Sequence, residues 1–180
     1  MSLPHALLIA LIEKPCSGLE LSTRFDRSIG FYWHASHQQI YRELARLEAA
    51  GWVQGTLIKA ARGGKKEYRV VAAGRKELSR WAGEERGIEP YRSELMIRLR
   101  AEATVGPSGL ADEIERRLAL HRARLANYQA LEKRHYSKLT RSRSEAISHL
   151  ILQKGMMNES TWIEWSLQAL RVLKQEYPDA

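Results

Sequence analysis

His34-Ala35-Ser36-His37-Gln38-Gln39-Ile40-Tyr41-Arg42-Glu43-Leu44-Ala45-Arg46-Leu47-Glu48-Ala49-Ala50-Gly51 is the most telling run in this 180-residue chain. Ser36 followed three residues later by Gln39 has the form of a capping box, and Gly51 stands where a left-handed C-terminal cap belongs. Both ends of a helix are therefore written locally. Ile40, Leu44 and Leu47 recur at i, i+4 and i+7, which stacks them as one buried stripe. Gln38, Gln39, Arg42 and Arg46 are left on the outward face, a set of side chains able to hydrogen-bond to base edges.

Upstream, residues 4–14 form a short helix that is apolar nearly all round (Ala6, Leu7, Leu8, Ile9, Ala10, Leu11) and so requires burial on several sides. Pro15 and Gly18 punctuate a turn, and residues 19–25 offer a second short helix with Leu21 and Phe25 four apart. Downstream, residues 52–58 and 67–71 are β-leaning runs separated by a stretch containing Arg62-Gly63-Gly64-Lys65-Lys66, which predicts a hairpin with a basic tip. Residues 74–85 return to helix, with Leu78 and Trp81 on one side, and residues 87–90 look like a linker. Helix, helix, capped helix and basic hairpin, in that order, is the arrangement of a winged helix-turn-helix. In that arrangement the third helix enters the major groove and the wing follows the phosphate backbone. Gln38 and Gln39 suit adenine edges, Arg42 suits guanine, and Arg62, Lys65 and Lys66 suit phosphates. The charge distribution agrees: the chain carries a net +8, and residues 59–80 hold eight Lys and Arg against two Glu.

Beyond Tyr91 the texture changes to long, charged helical segments with no obvious second compact core. One helix spans residues 93–103, Gly106-Pro107-Ser108 breaks it, a second covers roughly residues 109–139, and a third covers about 144–176. The last carries Ile147, Leu150, Ile151, Met157, Trp162, Trp165, Ala169 and Leu173, more apolar surface than a solitary helix keeps exposed. The expected architecture is mainly α with a small β-hairpin wing: a DNA-binding winged helix-turn-helix at 1–88 and an α-helical dimerisation region at 91–180.

Composition bounds the alternatives. With 44% hydrophobic and 28% charged residues the chain is globular. The single cysteine, Cys16, excludes an intramolecular disulfide and any multi-cysteine metal site, and fits a reducing compartment. The apolar run at 6–12 is too short for a membrane span and lacks a signal-peptide layout. A soluble, cytoplasmic protein without membrane contact is expected. No Gly-rich phosphate loop, serine elbow or His-Glu metal motif occurs, so neither an enzyme nor a cofactor is expected. His34 and His37 have no acidic or sulfur ligand nearby in sequence, and His121 and His135 lie about 21 Å apart along one helix. Cys16 reads as a small buried filler.

The chain also resembles the PadR family of transcriptional regulators over residues 3–81. The resemblance is carried by His5-Ala6-Leu7-Leu8, Ser17-Gly18-Leu19-Glu20-Leu21, Phe25-Asp26, Tyr32-Trp33-His34-Ala35-Ser36-His37-Gln38-Gln39-Ile40-Tyr41-Arg42-Glu43-Leu44, Leu47-Glu48-Ala49-Ala50-Gly51-Trp52-Val53 and Lys65-Lys66-Glu67-Tyr68, with Gly74 and Leu78. The C-terminal region resembles the family's long-helix type, chiefly through Trp162 and Trp165. What the resemblance implies is a homodimer with interlocking C-terminal helices. Such a dimer binds a pseudo-palindromic operator on double-stranded DNA through Ser36, His37, Gln38, Gln39, Tyr41, Arg42, Arg46 and the wing cations. It represses a nearby gene until an effector intervenes. In some members the effector is a small aromatic molecule, and Trp33, Trp81, Trp162 and Trp165 are the candidate lining. The chain departs from the pattern in having Leu19 where Tyr is common, Gly63-Gly64 in place of Pro-Asp in the wing, and Val71 where a Thr caps the fourth helix. Loss of that cap costs roughly 1 kcal/mol, and the wing tip is expected to be more flexible than usual. The alternative reading is a protein-interaction adaptor on a winged-helix scaffold that does not bind DNA.

Overall fold

The computed structural model describes residues 2–27, 33–58, 65–87, 90–137 and 140–175, and it divides into two compact units, Met1–Ile88 and Glu89–Ala180.

In the first unit the order is α1 (Leu3–Glu13), β1 (Cys16–Ser17), α2 (Gly18–Arg27), α3 (His37–Ala49), β2 (Val53–Leu57), β3 (Lys66–Val70) and α4 (Ala72–Ala82). Pro4 sits in the first turn of α1, where its missing N–H costs nothing. Leu7, Leu8 and Leu11 are fully buried, as a helix apolar on most sides demands. They join Leu21, Phe25, Ile40, Leu44, Leu47, Val53 and Val70 in one core. The strands form an antiparallel sheet ordered β1-β3-β2, with Val53 opposite Val70 and Leu57 opposite Lys66 in the hairpin. The turn expected between Pro15 and Gly18 contains the short strand β1, in which Cys16 pairs with Tyr68 and Ser17 with Glu67. This third strand ties the start of α2 to the hairpin. Cys16 is buried, and burial pushes its thiol above the ordinary value, which suits a packing role rather than a reactive one.

The fourth helix begins without a side-chain cap, because Val71 at the N-cap has no hydrogen-bonding group. Gly74 then lets α4 settle onto the hairpin: a Cβ there would lie 2.3 Å from the Trp52 carbonyl oxygen. One polar tie, from His5 to Glu77, joins α4 to α1. Glu77 receives two guanidinium bonds from Arg80, each 2.8 Å, and one from His5 Nε2 at 3.2 Å. Arg80 first and His5 second hold the Glu77 carboxyl below its usual 4.5, at about 2. Because the folded value is depressed, the stabilisation is complete above the unfolded value and is lost as pH falls through the folded one. The melting temperature should therefore decline between about pH 5 and pH 2, and less steeply in Glu77→Gln. Parallel acid profiles of the two proteins in thermal denaturation would contradict this.

The second unit contains α5 (Glu94–Val105), α6 (Leu110–His135) and α7 (Arg143–Leu173). Ser93 caps α5 by accepting from the Met96 N–H, and a capping box between Ser142 and Glu145 starts α7. Helices α6 and α7 run antiparallel, as their cross-links show: Lys174 pairs with Glu115, His121 with Glu159, and His149 with Glu132 at 2.7 Å. At mid-length the ring of Tyr128 lies 3.1 Å from where a Cβ on Gly155 would sit, so the glycine permits close approach of the helices. A small core also exists, formed by Leu95, Leu110, Ile114 and Ala169 with Trp162, Trp165 and Leu173 against it. The sequence expectation of no second compact core is corrected accordingly. Among the described residues no helix is long and apolar enough to cross a membrane.

Candidate nucleic-acid interface

The geometry of α3 follows from its two caps. The Ser36 side chain accepts from the Gln39 N–H at 3.2 Å while Gln39 Oε1 accepts from the Ser36 N–H at 2.8 Å, completing the capping box. At the other end Gly51 adopts φ +68, Gly51 N–H donates to Glu48 O and Trp52 N–H donates to Leu47 O. These are the two bonds of a Schellman cap. Beneath the helix Ile40, Leu44 and Leu47 are at most 1% exposed. Above it His37, Gln38, Gln39, Tyr41, Arg42 and Arg46 are all exposed, as is Ser36 at the cap. The buried stripe thus holds a polar, cationic face outward.

Those exposed side chains are not equivalent. Gln38 and Arg42 are one turn apart on the outer face and have the reach to read base edges. Gln39 shares its duty, since its amide oxygen is committed to the cap and its NH₂ group carries what remains for a base or phosphate. Arg46 is paired with Glu43 at 3.5 Å. Tyr41 leans over the start of α2, where a Cβ on Gly18 would lie 2.5 Å from its ring, so the glycine makes room for the tyrosine. On the hairpin beside α3, Lys65 is exposed at the loop end, its carbonyl accepting from the Ile58 N–H at 2.9 Å. Lys66 is engaged differently: its ammonium is 3.2 Å from both carboxylate oxygens of Glu48 on α3. Arg62 and the Gly63-Gly64 wing tip lie outside the described residues.

Of the four candidate tryptophans for an effector, Trp81, Trp162 and Trp165 stack on or meet rings of their own unit. Trp33 is 38% exposed. Trp81 stacks on His5 at 4.3 Å, with the Arg86 guanidinium 5.5 Å from its ring. In the second unit Trp162 stacks on His121 at 5.0 Å and meets Trp165 edge-on at 5.3 Å. His121 is in turn held by the buried Glu159, which Arg124 also approaches at 3.6 Å. Among the described residues no group of three or more His, Cys, Asp or Glu could hold a metal ion.

Comparison with known proteins gives this architecture its relatives. Residues 7–80 match the Transcriptional regulator PadR-like family, and residues 91–174 match the Virulence activator alpha C-term family. A probable transcriptional regulator of Mycobacterium tuberculosis, Rv1176c, is 33% identical, the match covering 98% of this chain and all of the relative. The negative transcriptional regulator PadR of Bacillus subtilis is 26% identical over 97% of this chain and 98% of its own. Its complex with operator DNA shares the fold at a TM-score of 0.80, with 24% identity, over 97% of this chain and all of that one; it has also been solved with p-coumaric acid. The Vibrio cholerae virulence activator AphA has a TM-score of 0.80 at 26% identity, covering 96% of this chain and 98% of that one. The relatives thus match 96–98% of the chain, which belongs to the PadR-like family of transcriptional regulators.

Proposed function

We propose that this regulator is a homodimeric repressor that binds a pseudo-palindromic operator on double-stranded DNA through residues 1–88 and dimerises through residues 91–180. The observation that carries the reading is the outer face of α3. Gln38 and Arg42 stand exposed above a stripe sealed from water, with Lys65 on the neighbouring hairpin. In this reading Gln38 and Arg42 read bases, while Ser36, His37, Tyr41 and Lys65 hold the backbone. Repression is supported by the relative in Bacillus subtilis being a negative regulator. A small aromatic effector is proposed because that relative has been solved with p-coumaric acid.

Dimerisation is supported by α7. Ile147, Leu150, Ile151, Met157 and Val172 are 45–64% exposed and fall within roughly a third of the helix circumference. A stripe of that kind on a charged helix is matched by a second copy of itself. The two recognition helices of such a dimer address half-sites about one turn of DNA apart, roughly 34–36 Å.

The test is titration of labelled duplex by fluorescence anisotropy, with dimer mass checked by light scattering. Affinity should fall by about 10³-fold or more between 50 and 200 mM salt if the dimer makes six or more phosphate contacts. Absence of any duplex binding at low salt would leave only the adaptor reading.

A further inference from the structure

Gly55, in the middle of β2, marks a feature that base reading and phosphate contact do not use. A side chain there would point at α3, and a Cβ would lie 2.5 Å from Glu48 Oε1 and 3.2 Å from the Lys66 Cδ. The space that any other residue would fill is occupied by an acid from the recognition helix and a base from the wing. Lys66 lies opposite Leu57, two positions from Gly55, and therefore emerges on the same face of the hairpin. Its ammonium meets both Glu48 oxygens at 3.2 Å, and the two side chains are 42% and 32% exposed. Neighbouring hairpin charges behave otherwise: Lys65 is exposed, and Arg69 lies near Glu67 at 3.8 Å.

We propose that Glu48 is a positioning and specificity residue: through the gap at Gly55 it holds Lys66 away from the DNA backbone and ties the wing to the recognition helix. This rests on the reading that α3 and the wing bind DNA. Two consequences follow from one ion pair. A cation withheld from phosphate lowers affinity for every sequence alike, because phosphate contacts carry no sequence information. A wing tethered to α3 keeps its phosphate contacts in register with the bases that α3 reads. The first effect lowers affinity without changing the ratio, and the second widens the gap between operator and random DNA.

The experiment uses the full chain, the best-bound duplex selected from a randomised library, and a scrambled duplex of equal length. Glu48→Gln keeps the shape of the side chain and removes its charge. The expected result is tighter binding to the scrambled duplex and a smaller ratio of scrambled to selected Kd. The salt slope on scrambled DNA should steepen by roughly 0.9 per newly engaged lysine, about a 3.5-fold larger loss of affinity between 50 and 200 mM salt. Adding Lys66→Gln to Glu48→Gln should abolish that steepening. Gly55→Ala, which retains both charges but closes the gap, should shift slope and ratio in the same direction as Glu48→Gln. An unchanged slope and ratio in Glu48→Gln, or a steepening that survives Lys66→Gln, overturns the proposal. If the wild-type chain selects no sequence and binds no duplex, it is the DNA-binding reading that fails instead.

Discussion

Truncating Phe25 to alanine is expected to destabilise the first unit by about 3–5 kcal/mol. Phe25 has no exposed surface and heads the fully buried side chains by volume. It sits on α2, a helix of ten residues whose other fully buried side chains are Leu21 and Ser22. So short a helix has little stability of its own in water, so its place is set by what it buries. Removing the ring leaves a cavity among Leu7, Leu11, Ile40 and the rest of that core, and close-packed surroundings relax only partly into it. Since small domains are stable by only about 5–15 kcal/mol, the loss is a large share of the total. Denaturant unfolding followed by far-ultraviolet circular dichroism should show the loss of first-unit helix moving to much lower denaturant concentration in Phe25→Ala. A shift worth under about 1 kcal/mol would mean that α2 is not anchored by this ring.

The parts of the fold legible in the sequence were those specified by near neighbours. The capping box of Ser36 and Gln39, the left-handed Gly51 and the stripe of Ile40, Leu44 and Leu47 involve positions within one helix, and all are present. Strand β1 escaped notice because two residues beside a proline carry no periodicity. Its pairing is made with Tyr68 and Glu67, some fifty residues away. The core of the second unit escaped for the same reason, since Leu110 and Ile114 meet Ala169 only once α6 and α7 fold back on each other. At the interface the polar residues of α3 were identifiable as an outward face, but their individual commitments were not. The sequence suits Gln39 both to close the cap and to contact DNA, and the structure commits its amide oxygen to the cap. In sequence Lys66 reads as a phosphate-contacting wing cation, because a basic run gives no sign of an acid on another element. The one local hint was Gly55, which in a strand marks a bulge or the close approach of another group.

Replacing Arg42 by alanine should cost about 1–3 kcal/mol in operator binding, roughly a 5- to 150-fold weakening, concentrated at one base pair in each half-site. The reasoning is geometric. Arg42 is exposed one turn beyond Gln38, and among the described residues no carboxylate is recorded within ion-pair distance of it, whereas Arg46 is held by Glu43 and Lys66 by Glu48. A guanidinium already held by a carboxylate would have to break that pair before reaching a base. Among the described residues the Arg42 guanidinium has no such pair to break, and its fork of donors matches the two acceptors on a guanine edge in the proposed reading. Lys65→Ala provides the contrast, because a lysine on the backbone is indifferent to sequence: it should weaken selected and scrambled duplexes by the same factor and flatten the salt slope by roughly 0.9 per subunit. The two variants therefore separate in a single experiment that profiles affinity over all single-base substitutions of the selected duplex. Arg42→Ala should erase the preference at one position in each half-site, and Lys65→Ala should leave the profile's shape intact while lowering it throughout. Arg42→Lys should restore the charge and the salt slope without the base preference, since an ammonium lacks the planar fork. If Arg42→Ala instead lowered all sequences uniformly, the second turn of α3 would be resting on phosphates, and base reading would have to come from Gln38 and the helix N-terminus.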